Sequence, residues 1–340
     1  MKRGKADPSL QLVLDLICGE NEVLHPEASL PSNPRRTTKA KAPLLDHESA
    51  AAFLSGSDDF RVLRRLKSHQ FFSAQAPAHP LIGVYIDCET EGLDIQDKII
   101  EIGLVRFVYE ADSGVMLSVA EPQHGYSAFE DPGKPLTKVI RDLTGIRDED
   151  VQGQAFDDQA IAALVSDASL IIAHNAGFDR PRLEKRFPFF ADKPWACSFK
   201  DVDWAGQGIS SAKLDYLAYK FGFFFDGHRA VTDCFAGLEV LSKPLPQSDK
   251  PVMQALLDAS GKGAWRHFAN PARYQNDRYR EMGYRWCGKE RSASWYKDYT
   301  DQAGAEAAWQ KIAQQGIAEK QSIRKITALD RYSAREMSDE

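Results

Sequence analysis

The chain lacks any apolar run near the roughly 18 to 20 residues that a membrane-spanning helix needs. The longest candidate close to its N-terminus, Leu10 to Ile17, is broken by Gln11 and Asp15. Neither a membrane span nor a secretory signal is therefore expected. Cysteine is scarce: Cys18, Cys88, Cys197, Cys234 and Cys287 are odd in number, far apart and never in a C-x-x-C pair. That disfavours a disulfide framework and a zinc site, and makes a reducing cytoplasm the expected location. Positive charge is also not in excess, since 43 Lys and Arg face 49 Asp and Glu for a formal net charge of −6. Taken over the whole chain, that balance argues against a protein built to coat a phosphate backbone.

What is there is unevenly distributed. Residues 81–242 hold 15 basic and 27 acidic side chains, whereas residues 243–340 hold 17 and 13. The acidity belongs to the middle of the chain alone. Ahead of it, Pro26, Pro31, Pro34 and Pro43 interrupt any helix and mark 22–43 as a linker between an N-terminal segment, 1–21, and a small helical region, 44–80. In that region Asp46 or Ser49 caps a short helix through Phe53, and Phe60, Leu63 and Leu66 have the spacing of a second over Asp58 to Lys67. A folded domain is expected over 81–242, a basic and aromatic region over 248–320, and a frayed tail over 321–340.

Within 81–242, β-rich runs at Leu81 to Ile86, Ile99 to Val108 and Met116 to Ala120 predict a three-stranded meander. Helical stretches then alternate with short strands at Leu170 to Ala173 and Trp195 to Phe199, and helices over Ala212 to Phe221 and Ala230 to Leu241 close the segment. The order implies an α/β fold, a mixed sheet of five strands flanked by helices.

Acidic residues gather where these elements end. Asp87, Glu89 and Glu91 follow an apolar strand, and a period of two sends them to one face. Crowded like charges repel unless a hard divalent cation such as Mg²⁺ or Mn²⁺ neutralises them, although a lone D-x-E is also how a solvated strand end looks. Asp179 follows a second strand at the start of a helix, where a carboxylate can serve merely as a cap. His228 precedes a third helix whose first turns contain Asp233, so the loop can swing its imidazole over the site that Asp233 reaches.

Together these elements resemble the DEDDh group of 3′-to-5′ exonucleases, the superfamily of the DNA polymerase III epsilon proofreading subunit, ribonuclease T and oligoribonuclease. D-x-E-T-x-G-L is matched by Asp87, Glu89, Thr90, Gly92 and Leu93, H-N-A-x-F-D from His174 to Asp179, and H-x-x-x-x-D by His228 and Asp233. The resemblance runs from about Leu81 to Leu241. Glu91 and Cys234 depart from it, standing where many members have Thr and Ala, and Glu91 would add charge beside the metals. It implies a ribonuclease H-like fold and two Mg²⁺ or Mn²⁺ ions: Asp87 bridges them, Glu89 and Asp233 complete the shell of one, and Asp179 holds the other largely through waters. His228 is then the general base, with an ordinary pKa of about 6.5 suited to that task. Thr90, Leu93, Asn175 and Phe178 are the implied grip on the terminal nucleotide, while His174 is assigned a structural hydrogen bond.

Outside the resemblance, residues 262–297 carry nine Lys or Arg against Asp277, Glu281 and Glu290, with eight aromatics interleaved. Single-strand binding through Arg278, Arg280, Tyr284, Arg285 and Trp286 is one reading; a small α+β appendage with an aromatic core is the other. Near the N-terminus, Gln11, Leu12, Leu14 and Leu16 form a Q-L-x-L-x-L pattern like the peptide by which bacterial replication proteins dock on the sliding clamp, and equally like an amphipathic helix. The expected activity is a metal-dependent 3′-to-5′ exonuclease acting on single-stranded or frayed DNA. An RNA-trimming enzyme of the same fold and a non-catalytic nucleic-acid or clamp-binding tether are the alternatives.

Overall fold

A computed structural model describes residues 46–67, 72–74, 76–271, 275–287 and 294–337. The chain divides into two units, Met1–Asp58 and Asp59–Glu340. The described part of the first contains the helix His47–Ser55, capped by Asp46, whose carboxylate accepts the Ser49 amide at 2.9 Å.

The second helix expected over Asp58 to Lys67 does not form. Strand β1 (Arg64–Arg65) stands there instead, paired in parallel with Phe223–Phe224. Partners remote in sequence override the helical spacing: Arg61 donates to the carbonyls of Tyr219 and Lys220 at 2.7 and 3.1 Å and lies over the Tyr219 ring. Arg65 pairs with Asp226 at 2.6 Å.

The central sheet starts with β2 (Pro80–Thr90), β3 (Ile99–Glu110), β4 (Met116–Val119) and β5 (Tyr126–Phe129), joined antiparallel. Strands β6 (Leu170–Ala173) and β7 (Trp195–Cys197) add in parallel beyond β2. The order is β4-β3-β2-β6-β7, with β5 also on β3, so the mixed sheet has six strands and not the five expected. The extra strand has no alternating apolar pattern to announce it. Its register, Glu101 with Phe129 through Leu104 with Tyr126, is available because β3 is 12 residues long and β4 covers only its far end.

Both faces of this sheet are covered, which is why its strands read as nearly continuous apolar runs. Alternation sends Tyr85, Val105, Phe107 and Ile172 to a core shared with the helices Leu214–Lys220, Ala230–Leu241 and Val252–Lys262 and with β8 (Phe223–Phe224). Val84, Ile86, Ile171 and Ala173 face the opposite core, shared with Asp158–Val165 and Ala176–Arg186. Two glycines let the helix Ala230–Leu241 lie directly on the strands. A β-carbon on Gly103 would stand 2.4 Å from the Ala230 carbonyl carbon, and one on Gly237 would stand 2.1 Å from Tyr85 Cζ.

The C-terminal part is an antiparallel sheet of β9 (Ala264–Pro271), β10 (Arg285–Trp286), β11 (Trp295–Tyr299) and β12 (Ala318–Ile326), in the order β10-β11-β9-β12. Tyr279, Tyr284 and Trp295 form its core with Ala269, Ile312 and Ile317. The helix Gln302–Gln315 is bounded by the Asp301 cap and by Gly316 in the left-handed region.

The tail expected over 321–340 is folded structure over its described residues, 321–337. Strand β12 crosses that boundary, and the residues after it bind back onto the central sheet. The fully buried Arg180 donates to the carbonyls of Ala328, Leu329 and Arg331 at 3.2, 2.6 and 2.6 Å, and the Trp195 amide donates to Ala328 at 2.8 Å. A buried guanidinium must find acceptors, and these carbonyls cover the edge of β7. Among the described residues no helix is long and apolar enough to cross a membrane.

The contact at Gly103 predicts that Gly103→Ala lowers the thermal midpoint, consistent with an overpacking cost of about 1–3 kcal/mol. Gly261→Ala, whose new methyl meets nothing within 4 Å, should leave it unchanged or slightly raised. Equal midpoints for the two variants in a melting assay would contradict the packing argument.

Candidate active site

Asp87 and Glu89 lie two apart at the end of β2, so their side chains leave on the face covered by the helix Ala230–Leu241. That helix carries Asp233 in its first turn. Oxygen atoms of Asp87, Glu89 and Asp233 all come within 4.8 Å of one another. Asp179, 2% exposed in the first turn of the helix Ala176–Arg186, approaches from the other side, its Oδ1 accepting the Cys88 amide at 3.2 Å.

Two ionised carboxylates about 5 Å apart repel by roughly 3 kcal/mol at an effective dielectric constant of about 20. The strain appears in their proton affinities. Burial, then the charges of Asp179 and Asp233, pushes Asp87 well above the usual carboxylate range. Burial, followed by Asp233 and Glu101, raises Glu89 to about 8. Burial likewise lifts Asp179 and Asp233 to about 7 each. Asp233 Oδ1 is buried without a hydrogen-bond partner. An orphaned buried oxygen amid mutually repelling carboxylates fits a hard divalent cation, with Asp87, Glu89 and Asp233 as the ligand set and Asp179 beside it.

His228 sits in the left-handed region at φ +64, and its amide donates to Asp233 Oδ2 at 3.0 Å. Its imidazole is exposed toward solvent, and partial burial depresses its pKa, which keeps the ring neutral and able to accept a proton at neutral pH. His174 makes the structural bond expected of it, Nδ1 to Ser198 Oγ at 2.9 Å, and burial lowers it to about 4. Among the implied substrate contacts, Thr90 Oγ1 donates to the Gly92 carbonyl at 2.5 Å and Leu93 stands 38% exposed. Asn175 starts the Asp179 helix at φ +69, and Phe178 lies in that helix's first turn.

Glu91 does not join the cluster. The register slips between Glu89 and Thr90, which breaks the period of two, and Glu91 turns aside to accept the Lys98 amide at 3.1 Å and to pair with Lys134 at 3.2 Å. Tyr284 is likewise withdrawn from the candidate contacts. It is 5% exposed, with its hydroxyl 2.6 Å from His267 Nδ1. Arg278, Arg280, Arg285 and Trp286 sit in the C-terminal sheet region, where Arg280 pairs with Asp277 and Arg285 with Asp298. Gln11, Leu12, Leu14 and Leu16 lie outside the described residues.

Two positions that sequence reasoning passed over support the site. Glu101, 1% exposed within β3, accepts from Arg229 Nε at 3.3 Å, from Arg229 Nη2 at 3.2 Å and from the Ala230 amide at 3.3 Å. It thereby anchors the loop and helix start that bear His228 and Asp233. An acid inside the apolar run Ile99 to Val105 was the available signal, since a buried carboxylate has to be paired. Arg182 gave no signal at all. It joins the Asp179 helix to the turn after β2, donating to the Phe178 carbonyl at 2.8 Å and to those of Leu93 and Asp94 at 2.6 and 3.0 Å.

Residues 84–241 match the exonuclease family. Curated relatives include DNA polymerase III PolC-type of Halalkalibacterium halodurans, 35% identical over 162 residues, covering 45% of this chain and 10% of that protein. Its counterpart in Clostridium perfringens is 29% identical over 165 residues, covering 46% and 11%. The chain thus aligns with about a tenth of the length of these relatives. Among solved structures, Exonuclease X in complex with 5′-overhanging duplex DNA is 22% identical, covers 53% of this chain and 99% of its own, and superposes with a TM-score of 0.38.

The raised pKa values fix the sign of a pH effect. Each acid has a native pKa above its unfolded one, so the cluster's contribution to stability is fully present below about pH 4 and is lost as pH rises through about 7 to 8. In EDTA the melting temperature should therefore fall between about pH 5.5 and 8.5 by more than it does in Asp233→Asn. Added Mn²⁺ should raise it more at the higher pH. A cation effect that is absent, or equal at both pH values, would be incompatible with these carboxylates as the ligands.

Proposed function

We propose, from the match of residues 84–241 to the exonuclease family, that the chain is a metal-dependent 3′-to-5′ exonuclease that releases nucleoside 5′-monophosphates from single-stranded or frayed DNA ends. The observation that carries this reading is the convergence of Asp87, Glu89 and Asp233 within 4.8 Å, with Asp179 beside them. A nucleic-acid tether has no use for four carboxylates whose crowding costs stability. DNA is preferred over RNA because the relatives covering this segment are DNA polymerases by name.

Asp87, Glu89 and Asp233 would hold one Mg²⁺ or Mn²⁺, and Asp179 with Asp87 a second. Such ions, when bound, neutralise phosphoryl oxygens and make water acidic enough to attack near neutral pH. His228 takes the proton of the attacking water on a ring nitrogen. Its loop is fixed by the amide bond to Asp233 and by the Arg229–Glu101 ion pair. Leu93 and Phe178 offer apolar surface to the terminal base, and the 42% exposed Trp286 with Arg285 on β10 offers stacking and charge to the strand farther from its end.

Digestion of matched 3′-labelled DNA and RNA oligonucleotides with Mg²⁺, Mn²⁺ or EDTA tests the central claim. Monophosphates should be released from DNA with either metal and not with EDTA, and Asp87→Ala should lose activity by at least about 10²-fold. Persistence in EDTA or in the variant sinks the metal mechanism, release from the 5′ end sinks the polarity, and faster digestion of RNA moves the substrate to the RNA class. Separately, Arg285→Ala with Trp286→Ala should weaken single-strand binding and reduce its salt slope. Unchanged affinity at every salt concentration would leave β10 a purely structural role.

A further inference from the structure

The turn after β2 and the Asp179 helix are far apart in sequence, and the guanidinium of Arg182 is where they meet. It is 6% exposed. One nitrogen, Nη2, donates to two carbonyls of the turn, Leu93 at 2.6 Å and Asp94 at 3.0 Å. The other, Nη1, donates to the Phe178 carbonyl at 2.8 Å, and the guanidinium carbon lies 3.7 Å from the centroid of the Phe178 ring. A single rigid fork thus contacts the backbone of the exposed Leu93 and the ring of Phe178, from a position one turn beyond Asp179.

The rest of the turn is largely folded on itself. Asp97 accepts the Asp94 amide at 2.7 Å, and Asp94 Oδ1 accepts the Gln96 amide at 2.8 Å. Those bonds shape the turn without saying where it sits relative to the helix. A Lys185 to Gln96 contact ties its outer end. The bonds from Arg182 tie the end that bears Leu93. Three carbonyl acceptors and a ring face suit a planar guanidinium and do not suit the single ammonium of lysine.

We propose that Arg182 is a positioning residue for the 3′-terminal nucleotide, holding Leu93 and Phe178 at a set distance from each other and from Asp179 so that a base resting on them presents its phosphodiester to the carboxylates. This rests on the nuclease reading above. The residue touches no reacting atom; it acts through the two apolar side chains, and a displacement of about 1 Å in such a contact is enough to lower turnover by up to about 10²-fold.

The test compares wild type, Arg182→Lys and Arg182→Gln, each full length, on a 3′-labelled DNA oligonucleotide and on bis(p-nitrophenyl) phosphate, a diester with no base to hold. For both variants kcat/KM on the oligonucleotide should fall at least about tenfold further than on the small diester. In a Leu93→Ala background the extra loss caused by Arg182→Lys should shrink to less than about threefold, because the side chain it positions has gone. Amide hydrogen exchange in Arg182→Lys should quicken over residues 91–97 before it quickens elsewhere. Equal losses on the two substrates, full additivity with Leu93→Ala, or exchange that rises evenly across the domain would each reduce Arg182 to a residue of general stability and overturn the proposal. If wild type hydrolyses neither substrate, the nuclease reading itself fails, while the exchange comparison still decides whether Arg182 holds the turn.

Discussion

Four carboxylates are held where they repel one another, and most of the central domain is arranged around that constraint. Asp87 and Glu89 ride on the innermost long strand, Asp233 on a helix pressed onto it through Gly103 and Gly237, and Asp179 on a helix packed against the other face. Among the described residues none of the four has an ion-pair partner. Isolated in water, such a group would separate or protonate. The packing of two cores prevents the first, and raised pKa values record the tendency toward the second.

Positive charge is kept close without being spent on those acids. Arg229 neutralises Glu101, behind the site; Arg180 pairs with Glu184 and donates to main-chain carbonyls; Arg182 turns to main-chain carbonyls; Lys134 takes Glu91. A lysine or arginine bonded directly to Asp87 or Asp233 would remove the repulsion and with it the affinity for a cation. The arginines instead fix the segments that carry the acids. Arg180 and Arg182 do so on either side of Pro181 in one helix, the first reaching the C-terminal residues and the second the turn after β2.

In the C-terminal sheet eight aromatics among nine basic residues leave two readings open, a nucleic-acid grip and an aromatic core. An aromatic core is present: Tyr279, Tyr284 and Trp295 pack on one another, and Arg266 and Arg285 flank the Tyr296 ring. A domain of about 70 residues with few aliphatic side chains has to build its interior from aromatics. Among the described residues the edge strand leaves a ring and a guanidinium in solvent together, at Trp286 and Arg285.

The apolar runs were enough for the layered α/β domain, because a sheet buried on both faces needs them, and the period of two was enough to put Asp87 and Glu89 on one face. Asp179, Asp233 and His228 were joined to them only by the motif resemblance, since each by itself reads as no more than a helix start. Strand β5 was not, since its four residues pair without an apolar pattern, nor was the loss of Glu91 from the cluster, which follows from a slipped register. The helix expected at Asp58 to Lys67 yielded to partners more than 150 residues away. For Glu101 the apolar run around it signals a buried, paired acid but not the partner, and Arg180 and Arg182 became intelligible only in the tertiary structure: a charged side chain takes its meaning from the partners that folding brings to it, and neither spacing nor composition records which those will be.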